Sequence, residues 1–115
     1  MAKSLPVRFF ANTTGNEPVR DFLLELSIED RRTVGIQIAK IEFGWPIGMP
    51  VCRLLRDGIY EVRANISNGR IVRVLFTPID GEAVLLHAFI KKTQKTPLKE
   101  IDVAIMRKKL LETET

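Results

Sequence analysis

The sequence predicts an α+β domain in the order β-α-α-β-β-β-α: a small antiparallel sheet, two N-terminal helices packed on one of its faces, and a C-terminal helix. Three observations carry this. Apolar residues recur at helical spacing between residues 17 and 43. Three segments rich in β-branched and aromatic residues follow, joined by Ser-Asn-Gly and Ile-Asp-Gly-Glu turns. Thr96-Pro97 then opens a last helical pattern.

Residues 5–10 alternate weakly and form a short first strand. Ala11 to Asn16 is a loop, and Asn16 is placed to cap a helix with Glu17 and Pro18 in its first turn. Val19, Phe22, Leu23 and Leu26 fall at i, i+3, i+4 and i+7, one buried face. Ser27 starts a second helix, with Glu29 and Asp30 near its positive end. Val34, Ile38 and Ile41 extend its apolar face towards Phe43, Gly44 supplies the cap, and Pro46 prevents continuation. The two helices are expected as an antiparallel pair over residues 17–43.

Residues 52–55 read as a short extended edge. Asp57-Gly58 is a turn, 59–66 a strand, Ser67-Asn68-Gly69 a hairpin turn, and 71–77 a second strand. Residues 79–82 turn again into a third strand, 83–90, and the three make a meander. In the last helix Leu98, Ile101 and Ile105 make one apolar stripe, and Val103, Met106 and Leu110 a second, offset one. A terminal helix on a small sheet does not easily bury both, so the second stripe is read as a partner-binding surface.

Chain length fits a single domain, 1–115. No run approaches the ~20 apolar residues of a membrane span, and no secretory signal is visible, so a cytoplasmic location is expected. Cys52 and His87 are the only cysteine and histidine, too few for a structural zinc site. No metal or other cofactor is expected. Charge is uneven. Residues 1–52 carry six Lys/Arg and six Asp/Glu, whereas residues 53–115 carry twelve and eight, so the net +4 lies in the second half. That asymmetry fits an anionic partner.

Period-two alternation puts Glu61, Arg63 and Asn65 on one face of their strand and Tyr60, Val62, Ala64 and Ile66 on the other. The apolar set meets the helices, so Glu61 and Arg63 are expected on an open face. Arg73 is expected there too, with His87, Phe89 and Lys91 from the third strand and Lys92 and Lys95 at the rim. Arginine forks match phosphate oxygens. An aromatic such as Phe89 stacks on an unpaired base. Histidine, glutamate or lysine can move protons between a ribose 2′-hydroxyl and a leaving oxygen. The same residues also fit a solvated ladder of cross-strand salt bridges, and the lysines fit edge protection.

The segments Gly58-Ile59-Tyr60-Glu61-Val62-Arg63, Arg70-Ile71-Val72-Arg73-Val74-Leu75-Phe76 and Leu86-His87-Ala88-Phe89-Ile90-Lys91-Lys92-Thr93-Gln94-Lys95-Thr96-Pro97 resemble the phage-derived HigB-like branch of the RelE/ParE toxin superfamily. The Phe-Ile-Lys-Lys-Thr-Gln-Lys-Thr-Pro block, followed by a helix with Ala104 and Arg107, is the most specific part. The resemblance implies the toxin of a type II toxin–antitoxin pair, an endoribonuclease that cleaves mRNA at the ribosome without metal. Its partner would be a small helix-turn-helix antitoxin. By match to the motif, Arg63 and Arg73 would hold the phosphate, His87 and Lys91 would be the acid–base candidates and Phe89 a stacking candidate. From their place on the expected face and its rim, Glu61 joins the catalytic set and Lys92 and Lys95 the RNA-binding one. The chain departs from the pattern in lacking a tyrosine near its C-terminus. Two other readings remain open: a ParE-like DNA gyrase inhibitor, and a catalytically silent binding module. On the nuclease reading, Arg73→Ala is expected to abolish growth arrest in a folded protein.

Overall fold

The computed structural model describes residues 3–91 and 95–113. The strands are β1 (Val7–Phe9), β2 (Cys52–Arg56), β3 (Ile59–Asn65), β4 (Ile71–Ile79) and β5 (Glu82–Lys91). The helices are α1 (Pro18–Leu24), α2 (Ile28–Gly44) and α3 (Leu98–Thr113). The five strands form one sheet in the order β1-β5-β4-β3-β2. The expected meander is β3-β4-β5, and the segment read as an extended edge is a strand, β2, antiparallel to β3. The sheet is mixed rather than antiparallel, because β1 lies parallel to β5.

Turn chemistry sets the register. Asp57-Gly58 and Asp80-Gly81 are two-residue hairpin loops with positive φ at both positions (53° and 75°, 50° and 78°). That backbone twist matches the twist of the strands it joins. A side chain at Gly58 would also meet Lys108 of α3 at 2.8 Å.

Asn16 does not cap α1. The N-cap is Glu17, without a side-chain bond, because the Asn12 carboxamide organises the loop by accepting from the N–H groups of Thr14 and Asn16. Ser27 does cap α2, its Oγ accepting from the Asp30 N–H at 3.1 Å. Nor do α1 and α2 run along one another. The seven-residue α1 lies over β1 and β5, and α2 over β3. Arg31 fixes the corner between them, donating to the carbonyls of Leu23, Leu24 and Leu26 at the end of α1.

Two apolar layers result. Val19, Val34, Ile38 and Ile41 pack on Val62, Ala64, Val72, Val74, Phe76 and Leu85 on one face. On the other, Ala104 and Leu111 of α3 pack on Ile59, Leu75, Val84, Leu86, Phe89 and Phe10. The face expected to be open is therefore largely roofed by α3. Its cause is legible after the fact: the stripe carried by Ile101, Ala104 and Leu111 requires a partner surface, and this face offers Ile59, Leu75 and Leu86.

Asp30, buried at the start of α2, ties that helix to the β3–β4 turn. It accepts from the Ser67 N–H (3.1 Å) and Oγ (2.9 Å) and from Arg70 Nη2 (3.1 Å). The Ser67 bonds hold its carboxyl below the usual aspartate range, outweighing the opposing effect of burial. A depressed folded-state pKa gives stability that is present above the unfolded value of about 4 and lost as pH falls through the lower folded value. Asp30→Asn should therefore lower the urea midpoint at neutral pH, and the difference from the parent protein should close in acid, below the folded pKa. Equal midpoints at neutral pH would show that the tie contributes nothing.

Candidate functional site

The α3-facing side of the sheet is built in rungs. Arg53 of β2 stands opposite Glu61 of β3, Glu61 opposite Leu75 of β4, and Leu75 opposite His87 of β5. The neighbouring rung is Arg63, Arg73 and Phe89. Sequence alternation placed Glu61, Arg63, Arg73, His87, Phe89 and Lys91 on one face, and the register does the same.

Their environment differs from the expected wet surface. Glu61 and Arg73 are 1% and 0% exposed. The Glu61 carboxylate accepts from Arg63 Nε at 2.7 Å through Oε1 and from the Thr96 hydroxyl through Oε2. The same hydroxyl accepts from Arg73 Nη1 at 3.2 Å. Thr96 thus joins the carboxylate to the guanidinium instead of capping α3. The first bonds of that helix go to the Pro97 carbonyl, from the N–H groups of Glu100 and Ile101. Burial, then Arg63 across the ladder, push the Arg73 guanidinium below its ordinary range, and Glu61 opposes them. Arg63 is the accessible member, its side chain 22% exposed.

His87 forms a second group. Its Nε2 is 3.0 Å from Glu100 Oε1, and its Nδ1 is 3.4 Å from Arg107 Nη1. Arginine has only donors, so Nδ1 is the acceptor and Nε2 carries the hydrogen towards Glu100. Arg107 Nη1 also donates to the Leu86 carbonyl at 2.8 Å. A register shift on β5 puts both Leu86 and His87 opposite Leu75, so both side chains lie on the α3 side. The Phe89 ring stacks on His87 with centroids 5.6 Å apart and is 7% exposed. It is packed between His87 and the α3 layer, not presented to solvent as base stacking requires.

Lys91 is half-buried at the end of β5 and Lys95 is exposed. Lys92 lies outside the described residues. Lys95 lines a cleft of about 220 Å³ with Arg53, Arg56, Thr96 and Leu98, so cations from β2 and from the start of α3 converge beside the Glu61 network. Of the α3 stripe, Met106 is 56% and Leu110 41% exposed, with Val103 half-buried. Arg53, Thr96, Glu100 and Arg107 were not assigned to the site from sequence. Arg53 sat in a segment too short to give a face, and the other three act only once α3 is laid across the sheet. Cys52 is buried on the opposite side of β2 from Arg53, and burial pushes its thiol up to about 11. Among the described residues no group of three or more His, Cys, Asp or Glu is arranged to hold a metal ion. No helix there is long and apolar enough to cross a membrane.

The family model for the phage-derived protein Gp49-like family (DUF891) matches residues 21–109, more than half of the chain. The chain belongs to the Gp49-like family. That family is associated with RelE-like toxins. The match runs from within α1 to within α3 and includes every rung residue of the site. A comparison with curated proteins returns no match.

The buried network makes a specific demand on Thr96. Thr96→Val keeps the shape but removes the hydroxyl from both charged partners, and should cost about 1–3 kcal/mol in denaturant unfolding, whereas Thr96→Ser should be nearly silent. Equal stability of the valine and serine variants would show that the bridge is incidental.

Proposed function

We propose that this Gp49-like protein is the HigB-like toxin of a type II toxin–antitoxin pair. In this reading it acts in the bacterial cytoplasm as a metal-independent endoribonuclease that cuts mRNA at the ribosome. The observation that carries the reading is the convergence of Arg53, Arg63 and Lys95 on the buried Glu61–Thr96–Arg73 network, with His87 on an adjacent strand of the same face. Membership in a family associated with RelE-like toxins supports it.

The roles follow from the contacts. Arg63, with Arg53 and Lys95 beside it, binds the scissile phosphate, because guanidinium forks stay charged and match its oxygens. They also stabilise the additional charge of the pentacoordinate transition state. Both Glu61 oxygens are engaged, so Glu61 positions Arg63 rather than accepting a proton. Arg73 completes the electrostatic field from below. His87 is the acid–base group. Its neutral tautomer, with Nδ1 as acceptor and Nε2–H held by Glu100, takes the 2′-hydroxyl proton once Arg107 yields its 3.4 Å contact. Attack of the 2′-oxygen on the adjacent phosphate then expels the 5′-oxygen and leaves a cyclic phosphate. Phe89 supports the His87 ring instead of stacking on RNA. Lys91 borders this face and is the other candidate for protonating the leaving oxygen.

The structure changes the choice of test. Arg73→Ala would remove a fully buried side chain and open a void beside the Glu61–Thr96 pair, so loss of activity would not separate chemistry from folding. Arg63→Ala would strip a direct partner from the buried Glu61 carboxylate, so Arg63→Lys, which keeps a charge there without the guanidinium fork, is the cleaner substitution. Inducing the protein alone in a bacterial host, with pulse labelling and primer extension on an abundant mRNA, should give loss of protein synthesis and discrete new 5′ ends. Arg63→Lys should reduce cleavage by about tenfold or more with the fold unchanged by circular dichroism. A folded Arg63→Lys variant that cuts at the parental rate would remove the Arg63 guanidinium from the mechanism. DNA synthesis failing first, with intact mRNA, would favour the gyrase-inhibitor reading.

The stripe of exposed Met106 and Leu110 with half-buried Val103 is the surface we assign to a helix-turn-helix antitoxin. Replacing Met106 and Leu110 by Asp should weaken that complex at least tenfold in a titration with the cognate protein and leave cleavage intact. Unchanged affinity would place the antitoxin elsewhere.

A further inference from the structure

β5 is ten residues long, but its outer neighbour β1 pairs only with Ala83, Val84 and Leu85. Backbone bonds mark which groups point outward there: the Ala83 N–H donates to the Pro6 carbonyl, and the Leu85 carbonyl accepts from the Phe10 N–H. The extra residue at Leu86/His87 shifts the alternation by one. Beyond it, Ala88 and Ile90 turn their N–H and C=O groups away from β4. Among the described residues no strand pairs with them on that side. Arg107 takes the Leu86 carbonyl and reaches the His87 ring, but bonds neither Ala88 nor Ile90.

At Ala88 this unpaired edge opens on a cleft of about 320 Å³ between α1 and α3, lined by Pro18, Asp21, Phe22 and Glu25 on one side and His87 and Arg107 on the other. Asp21 and Glu25, one helical turn apart, form the α1 wall, and both are exposed. A strand entering here would present alternate side chains to the two walls. Those facing α1 meet two carboxylates. Those facing α3 meet Arg107, which repels a cation. Edges of this kind bind extended peptides through main-chain hydrogen bonds, while the walls select side chains.

We propose that the edge of β5 from Ala88 to Ile90 is a docking site for an extended segment of a partner protein, with Lys or Arg at alternate positions facing Asp21 and Glu25 and uncharged residues facing α3. The site adjoins the rungs at His87 but uses main-chain groups of Ala88 and Ile90 and the carboxylates of α1, none of which the nuclease reading uses, and it stands whether or not that reading holds.

The test uses the full chain and a soluble nine-residue peptide alternating lysine with valine or threonine, with two controls: the same peptide with glutamate for lysine, and one N-methylated at alternate residues. Binding is followed by fluorescence anisotropy and by amide hydrogen exchange. The lysine peptide should bind and slow exchange at Ala88 and Ile90. Both controls should fail to bind, and Asp21→Lys with Glu25→Lys should weaken binding at least tenfold while leaving the melting temperature unchanged. Equal binding of the N-methylated peptide, or binding without protection at Ala88 and Ile90, would overturn the proposal. So would absence of binding, or concentration-dependent self-association in sedimentation that buries this edge, which would make a second copy the occupant.

Discussion

The buried junction of Glu61, Thr96 and Arg73 constrains the rest of the molecule. A carboxylate and a guanidinium removed from water each carry a penalty of several kcal/mol unless hydrogen bonds replace the lost solvent. Here one hydroxyl serves both ions, and Arg63 satisfies the second carboxylate oxygen. Arg63 and Arg73 are directly opposite in the β3–β4 ladder, an arrangement that is unfavourable for like charges and tolerable because Glu61 lies beside both. Slipping the register by one residue would send Glu61 and Arg63 into the apolar layer under α2. The charge network therefore helps to fix the register of β3 against β4, the pair of the meander that no Asp-Gly turn joins. Because Thr96 sits just before α3, it also fixes where that helix begins on the sheet.

From that anchor α3 reaches across the sheet and meets it again at its other end. Arg107 holds the Leu86 carbonyl at the β5 irregularity, its guanidinium lies over the Phe10 ring at 5.8 Å, and Lys108 donates to the Asp57 carbonyl at the β2–β3 turn. Burial pushes Arg107 below its ordinary range, consistent with a cation used as a structural donor. The extra residue on β5 matters because it lets Leu86 fill the α3 layer while His87, next in sequence, stays on the same side. Without it one of the two would face α1.

Much of this was legible because it is local. Ser27 followed by acids is a helix start, helical spacing marks the α1 and α2 faces, and Asp-Gly pairs mark the hairpins. Period-two alternation separates Glu61 and Arg63 from Tyr60 and Val62 wherever the strand is placed. What the sequence left unread is long-range. Nothing near Val7–Phe9 tells that it pairs parallel with β5 instead of antiparallel, since that depends on the path of α1 and α2 over the sheet. Thr96 beside Pro97 has the local signature of a cap, and its hydroxyl is claimed by two charges far away in sequence. The arginines and Glu61 looked exposed because a strand's polar face usually is. The roof over them comes from a helix beginning 37 residues after Glu61.

The uneven charge of the sequence acquires a spatial meaning in the fold. The basic second half contributes Arg53, Arg63 and Lys95 to one end of the α3-facing surface, whereas Asp21 and Glu25, from the neutral first half, stand across the outer edge of β5. An anionic ligand at the first and a cationic one at the second would not compete for the same charges, although β5 belongs to both sites. His87 and Ala88 are adjacent on that strand: one side chain turns to the α3 face, and the other residue's backbone turns to the edge. A segment paired along Ala88 would stiffen the strand that carries His87 and would lie against Arg107, the donor at its Nδ1. Coupling between the two ligands is then a property of one strand and one arginine, with no rearrangement of the domain required.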